Sequence, residues 1–192
     1  MNTKPIVVFT NFFDAKYVIE SGILLFKDNE DNDNNIKKFI MEKGNVTMLS
    51  IALSKPTNLG CERLDFFCPT YEMLKRYKND KNWDNYKKDY NNLLKKRRNE
   101  IGRWLMGLKN KHLYFLCCWE NTINGANCHR QLIYDAMCKS KTALDKVIPI
   151  YRHGEKSLDK MKFSYFDDSP VLVSNGATYR DVVRSTINGD IF

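Results

Sequence analysis

The stretch His112-Leu113-Tyr114-Phe115-Leu116-Cys117-Cys118-Trp119 is the most apolar run in the chain. A short continuous apolar run that stops at a polar loop is the pattern of a strand buried on both faces, as parallel sheets require. The polar segment Glu120 to Asn127, containing Gly125, follows it, and helical spacing returns from Cys128 to Lys139 through Leu132, Ile133, Ala136 and Met137. Strand, loop and helix in succession form the repeating unit of an α/β fold.

The same alternation extends in both directions. Ile6-Val7-Val8-Phe9 reads as a buried strand ending at Thr10-Asn11, and Asp14 to Gly22 as a helix stopped by its glycine. Ile23 to Phe26 is a candidate second strand, and Val46 to Leu53 a strong one, broken by Ser54 to Gly60. Thr70, ahead of Glu72, caps a helix that begins after Cys68-Pro69, and Lys146 to Tyr151 is a further strand. The pattern predicts one α/β domain over residues 1–192, with three layers and a mostly parallel central sheet. Its 192 residues suit a single core. Ligands in such sheets collect at the carboxyl ends of the strands, so the loops after Phe9, Leu53 and Trp119 matter most.

Composition excludes several classes. No apolar run approaches the ~20 residues of a membrane-spanning helix. The four apolar residues Ile6 to Phe9 fall short of a secretory signal core, so a cytoplasmic location is expected. Six cysteines are too few for a disulfide scaffold of this length and are expected as buried hydrophobes, metal ligands or reactive thiols. Lys27 to Asn35 is polar throughout and reads as an exposed loop; it lacks the glycine and terminal glutamate of a calcium loop.

The net charge is +8. Between Lys75 and Arg103, eleven basic residues stand against four acidic ones, so this stretch holds +7 of it. Tyr86, Tyr90, Leu93, Leu94, Arg97 and Ile101 recur at helical spacing within it, predicting one helix from about Trp83 to Leu108. Its outer face reads either as a solvated basic face or as a surface for phosphates, with Lys87, Lys88, Lys95, Lys96, Arg97 and Arg98 as nucleic-acid-binding candidates.

The chemically densest segment pairs Cys117-Cys118-Trp119-Glu120 at a strand end with Cys128-His129-Arg130 at a helix start. Several arrangements fit. A thiol at Cys118 or Cys128 with His129 as base makes a nucleophile, and the helix N-terminus is expected to lower the Cys128 pKa. Arg130 is suited to grip a phosphate or carboxylate, with Thr10 and Asn11 as further ligand-binding candidates. Zinc held by Cys118, Cys128 and His129 is opposed by the absence of a Cys-x2-Cys pair and by the adjacency of Cys128 and His129, so no metal is assigned. Phosphatase and zinc-deaminase motifs are absent. The plain structural alternative packs the cysteines in the core and pairs Arg130 with Glu120.

On these residues the chain resembles the bacterial and phage family known as domain of unknown function 488. Leu116-Cys117-Cys118-Trp119-Glu120 with Cys128-His129-Arg130 is similar to its strand-end and Cys-His-Arg signature, and Phe9 to Phe13 and Ser50 to Pro56 are similar to its first and second strands. Pro69 to Lys75 and Tyr86-Lys87-Lys88-Asp89-Tyr90 resemble a basic helical insertion. The likeness covers about Ile6 to Ser140, leaving residues 141–192 as a C-terminal extension. It implies an α/β fold and a shared site of Thr10, Cys118, Glu120, Cys128, His129 and Arg130. It implies no particular reaction and no named cofactor.

The expected function is binding of a phosphate-bearing ligand, a nucleotide or nucleic acid, and action upon it by Cys118, Glu120, Cys128 and His129. The alternative is a non-enzymatic module for nucleic acid or an acidic protein, such as an inhibitor from a mobile element, using residues 75–103.

Overall fold

Two apolar runs from distant parts of the sequence lie side by side, and every residue of both is buried. The computed structural model describes residues 4–26, 37–42, 44–54, 60–120, 122 and 125–152. Along them run β1 (Ile6–Asn11), α1 (Phe12–Ser21), β2 (Ile23–Phe26), β3 (Lys37–Ile40), β4 (Val46–Ser50) and β5 (Glu62–Arg63). A 3-10 turn (Asp65–Phe67) leads to α2 (Tyr71–Asp80), α3 (Trp83–Lys96) and α4 (Arg98–Met106), and then to β6 (Leu113–Cys118), α5 (His129–Cys138), α6 (Lys141–Leu144) and β7 (Ile148–Tyr151). The polar run Lys27 to Asn35 lies outside the described residues, as do the short apolar runs Val171-Leu172-Val173 and Val182-Val183 of the expected extension.

The central sheet has the order β5-β4-β6-β1-β7, and each of its pairings is parallel. Helices flank it, as the alternating pattern predicts. Parallel strands need crossovers, and helices on the faces bury the central strands on both sides. The chain leaves β1 towards β4 and leaves β6 towards β7, in opposite directions across the sheet. Right-handed crossovers then set α1 and α5 on opposite faces and open a crevice at the carboxyl ends of β1 and β6. Because β7 pairs with β1, the sheet continues past residue 140 into the expected extension.

Local chemistry explains most element ends. Asn11 caps α1 by accepting the Asp14 N–H, and Gly22 ends it at φ 75, a left-handed conformation that glycine adopts at little cost. Thr70 caps α2 by accepting the Met73 N–H, as the sequence predicts.

Three expectations change. Ile23 to Phe26 is a strand, but it pairs antiparallel with β3 in a separate two-stranded sheet. The strand from Val46 ends at Ser50, although the Ile51 N–H still reaches the Cys117 carbonyl. The single helix over Trp83 to Leu108 is two, divided at Arg97. There the Arg97 guanidinium turns inward to donate to the carbonyls of Asp65 and Cys68, at 2.8 and 2.7 Å, and its backbone leaves the helical region at φ −93, ψ 8. The Arg97 N–H still bonds the Leu93 carbonyl at 3.1 Å and its own carbonyl still accepts the Ile101 N–H at 3.1 Å, so the two helices meet at this one residue.

Candidate functional site

The carboxyl end of β6 delivers two cysteines to opposite faces of the sheet, because successive side chains on a strand alternate. Cys117 is sealed in the core, where burial pushes its thiol pKa well up. Cys118 points to the other face, towards the start of α5. The strand register separates the two.

The Cys118 thiol donates to Glu120 Oε2 at 2.7 Å, and the Cys128 thiol donates to the same oxygen at 3.3 Å. Cys128 is the residue immediately before α5, its N–H donating to the Gln131 side chain at 3.1 Å. His129, the first residue of α5, sets Nδ1 4.0 Å from Cys118 Sγ and 3.9 Å from Cys128 Sγ. Its Nε2 lies 2.8 Å from the Ile51 carbonyl at the end of β4, which accepts but cannot donate. That contact requires the proton on Nε2 and leaves Nδ1, in the neutral ring, as an acceptor aimed at both sulfurs. Two thiols, an imidazole nitrogen and a carboxylate thus converge where β4, β6 and α5 meet. Cys118, Cys128 and His129 are buried, and Glu120 is the exposed member.

Charges in the cluster support one another. Burial works to raise the Glu120 pKa, but the thiol hydrogen bonds and His129 outweigh it and hold the carboxyl below its ordinary value. Burial works to lower His129, and the neighbouring Cys128, the Ile51 carbonyl and Glu120 outweigh it, so the imidazole sits above its ordinary value. The expectation that the helix N-terminus lowers the Cys128 thiol is not met. Burial dominates and pushes that thiol well up, with Cys118 acting in the same direction.

Arg130 is completely buried, and its donors serve the protein itself. Nη1 donates to the Glu120 carbonyl at 2.5 Å, Nη2 to the Thr122 hydroxyl at 3.1 Å and Nε to the Tyr151 hydroxyl at 3.3 Å. The expected anion grip is therefore a strut that fixes the loop after β6 against β7. The expected ion pair with Glu120 goes to that residue's backbone, which leaves its carboxylate with the thiols. Thr10 and Asn11 are also buried and engaged with α1: the Thr10 hydroxyl donates to Asp14 at 2.5 Å, and Asn11 is the helix cap. They support the floor of the crevice and are not exposed to a ligand.

The basic segment is nearer to this cluster than sequence suggests. Tyr90, fully buried on α3, lies with its ring 5.3 Å from the His129 ring. Tyr86 stacks on Tyr90 at 6.0 Å, and Trp83 stacks on Tyr86 at 5.2 Å. Burial raises the Tyr86 phenol, and Cys128, Cys118 and Glu120 add to that rise, which places the phenol in their field. Lys88, Lys95, Lys96 and Arg98 are exposed, whereas Lys87 is half-buried beside Asp84 and Arg97 is tied to the 3-10 turn. The wall formed by Tyr86 and Tyr90 escapes a sequence reading that takes their spacing only as a helical stripe. The Ile51 carbonyl carries no side-chain signal at all.

No family model, curated protein or solved structure matches the chain. Among the described residues, no helix is long and apolar enough to cross a membrane.

Proposed function

We propose that this is a cytoplasmic protein that binds a phosphate-bearing ligand, a nucleotide or nucleic acid, along the outer face of α3 and α4 and acts on it at the Cys118, Glu120, Cys128 and His129 cluster. The observation that carries the reading is the double use of α3. One side of that helix exposes Lys88 and Lys95, and the other holds Tyr90 against His129. A polyanion drawn to the lysines lies one helix width from the cluster, and Glu120 is the exposed group through which the cluster meets solvent. The resemblance to the domain of unknown function 488 family supports the same residues, apart from the buried Thr10 and Arg130.

The test is fluorescence anisotropy with a labelled single-stranded oligonucleotide and a labelled nucleotide, repeated over a range of salt. Combined reversal of Lys88, Lys95, Lys96 and Arg98 to glutamate should abolish oligonucleotide binding. Partial reversals should reduce the salt slope by roughly 0.7 per lost phosphate contact. Glu120→Gln should leave binding intact and stop any conversion of the bound ligand. Unchanged affinity in the fourfold variant would refute the binding surface. Binding without conversion in the unmodified protein would favour the non-enzymatic module.

A further inference from the structure

We propose that Cys118, Cys128 and His129 Nδ1 bind a zinc-class divalent cation, with the fourth coordination position facing Glu120. The inference stands on side-chain geometry and is independent of whether a polyanion binds α3.

The three ligand atoms already lie within 4.8 Å of one another. In a tetrahedral zinc site, with Zn–S near 2.3 Å and Zn–N near 2.0–2.1 Å, neighbouring ligand atoms lie roughly 3.5–3.8 Å apart. The sulfur-to-Nδ1 separations of 4.0 and 3.9 Å need to contract by only a few tenths of an ångström. The objection from sequence, that adjacent residues cannot both reach one ion, fails on the geometry of the helix start. Cys128 has an extended backbone (φ −143, ψ 142) while His129 is the first helical residue, and this change of direction swings the two side chains together.

The surroundings match a metal-ligating histidine. Such an imidazole donates its other N–H to a carbonyl or carboxylate, which fixes tautomer and ring orientation, and here the Ile51 carbonyl takes that role at 2.8 Å. The Tyr90 ring packs on the imidazole from the side of α3. Two thiols with an imidazole favour zinc over the hard cations magnesium and calcium, which need oxygen ligands. A disulfide between Cys118 and Cys128 would use the two sulfurs and give no role to an imidazole nitrogen aimed at both.

The fourth position gives the site its character. Closed structural sites use four protein ligands, whereas sites that do chemistry use three and keep one position for water or substrate. Glu120 Oε2 is 2.7 Å from one sulfur and 3.3 Å from the other and belongs to the exposed member of the cluster. An oxygen-bearing group entering from solvent therefore meets the cation and this carboxylate together.

The test begins with metal content of the full chain purified under reducing conditions, followed by chelation and titration with zinc and with cobalt. One equivalent per chain is expected. Cobalt should give the visible bands of a tetrahedral ion together with an intense near-ultraviolet thiolate charge-transfer band. Cys118→Ser and Cys128→Ser should each remove about half of that band, and zinc affinity should fall by more than the roughly 10–100-fold typical of outer-shell changes. His129→Gln should weaken zinc similarly while keeping the band, and Glu120→Gln should keep both stoichiometry and band. Cys138→Ser, at the far end of α5, should change nothing. If the serine variants do not fold, zinc should still raise the melting temperature of the chelated unmodified protein. A folded protein with no charge-transfer band and no zinc-dependent rise in melting temperature would overturn the proposal. So would a Cys118–Cys128 disulfide in freshly purified, metal-free protein.

Discussion

Arg152 lays its guanidinium along the Asp14 carboxylate, with Nε and Nη2 each 2.6 Å from a carboxylate oxygen, and both side chains are almost completely buried. Thr10 donates a further hydrogen bond to the same carboxylate. The pair ties the start of α1 to the residue that follows β7, so it closes one side of the sheet. Removing one partner leaves an uncompensated buried charge. Arg152→Leu or Asp14→Leu should each cost about 3–5 kcal/mol in urea unfolding, and the double variant should recover most of that loss. Additive losses in the double variant would show that the two residues act separately.

The same pair makes stability depend on acid. Burial works to raise the Asp14 carboxyl, but Arg152 and the Thr10 hydroxyl outweigh it and leave the folded pKa below the ordinary value of 3.8. A group whose folded pKa is depressed contributes fully above its unfolded pKa and loses that contribution as pH falls through the folded value. Unfolding free energy should therefore decline below about pH 4, and the decline should be shallower in the Asp14→Leu, Arg152→Leu double variant. Equal acid slopes in the two proteins would place the acid sensitivity elsewhere.

Arg130 separates a strut from a ligand grip. Among the described residues its hydrogen bonds hold Glu120, Thr122 and Tyr151. Arg130→Lys keeps the charge and loses the planar fork, so the melting temperature should fall by several degrees, corresponding to about 2 kcal/mol. Ligand affinity per folded molecule should not change. Loss of affinity with an unaltered melting temperature would restore the anion grip.

Arg97 and Lys96 are neighbours with different duties. Arg97 donates to two carbonyls across the 3-10 turn, and Lys96 is exposed at the end of α3. Arg97→Ala should destabilise by about 2 kcal/mol, because a charged donor is lost from the carbonyls of Asp65 and Cys68. Lys96→Ala should stay within about 0.5 kcal/mol and act only on polyanion affinity and its salt dependence. Thermal melts beside anisotropy titrations measure both, and equal stability losses would contradict the division.

Much of the fold is legible in the sequence because apolar runs and capping residues are local signals. Ile6 to Phe9 and Leu113 to Cys118 can be recognised as central strands since burial on both faces leaves no polar alternation. The grouping of Cys118, Glu120, Cys128 and His129 is legible too, as the end of a strand and the start of the next helix. What escapes is long-range. Nothing local in Ile51 marks its carbonyl as the partner of His129, and nothing in Arg130 shows that its charge turns inward. The break at Arg97 has no proline or glycine to mark it, and the partners of its guanidinium, Asp65 and Cys68, lie on a turn that precedes the helix by two elements.

The pairing of β1 with late strands bears on how the chain acquires its structure. Ile6 lies in register with Leu113 on one side and Ile148 on the other, so neither strand that pairs with β1 exists until more than half of the chain has been synthesised. Closing such long loops precedes any gain from the contacts, which places folding at the slow end of the range for domains of this size. During synthesis the apolar strands β1 and β4, which flank β6 in the sheet, wait for the same event. The arrival of β6 joins both at once, and the site is completed on that sheet when the start of α5 follows with Cys128 and His129.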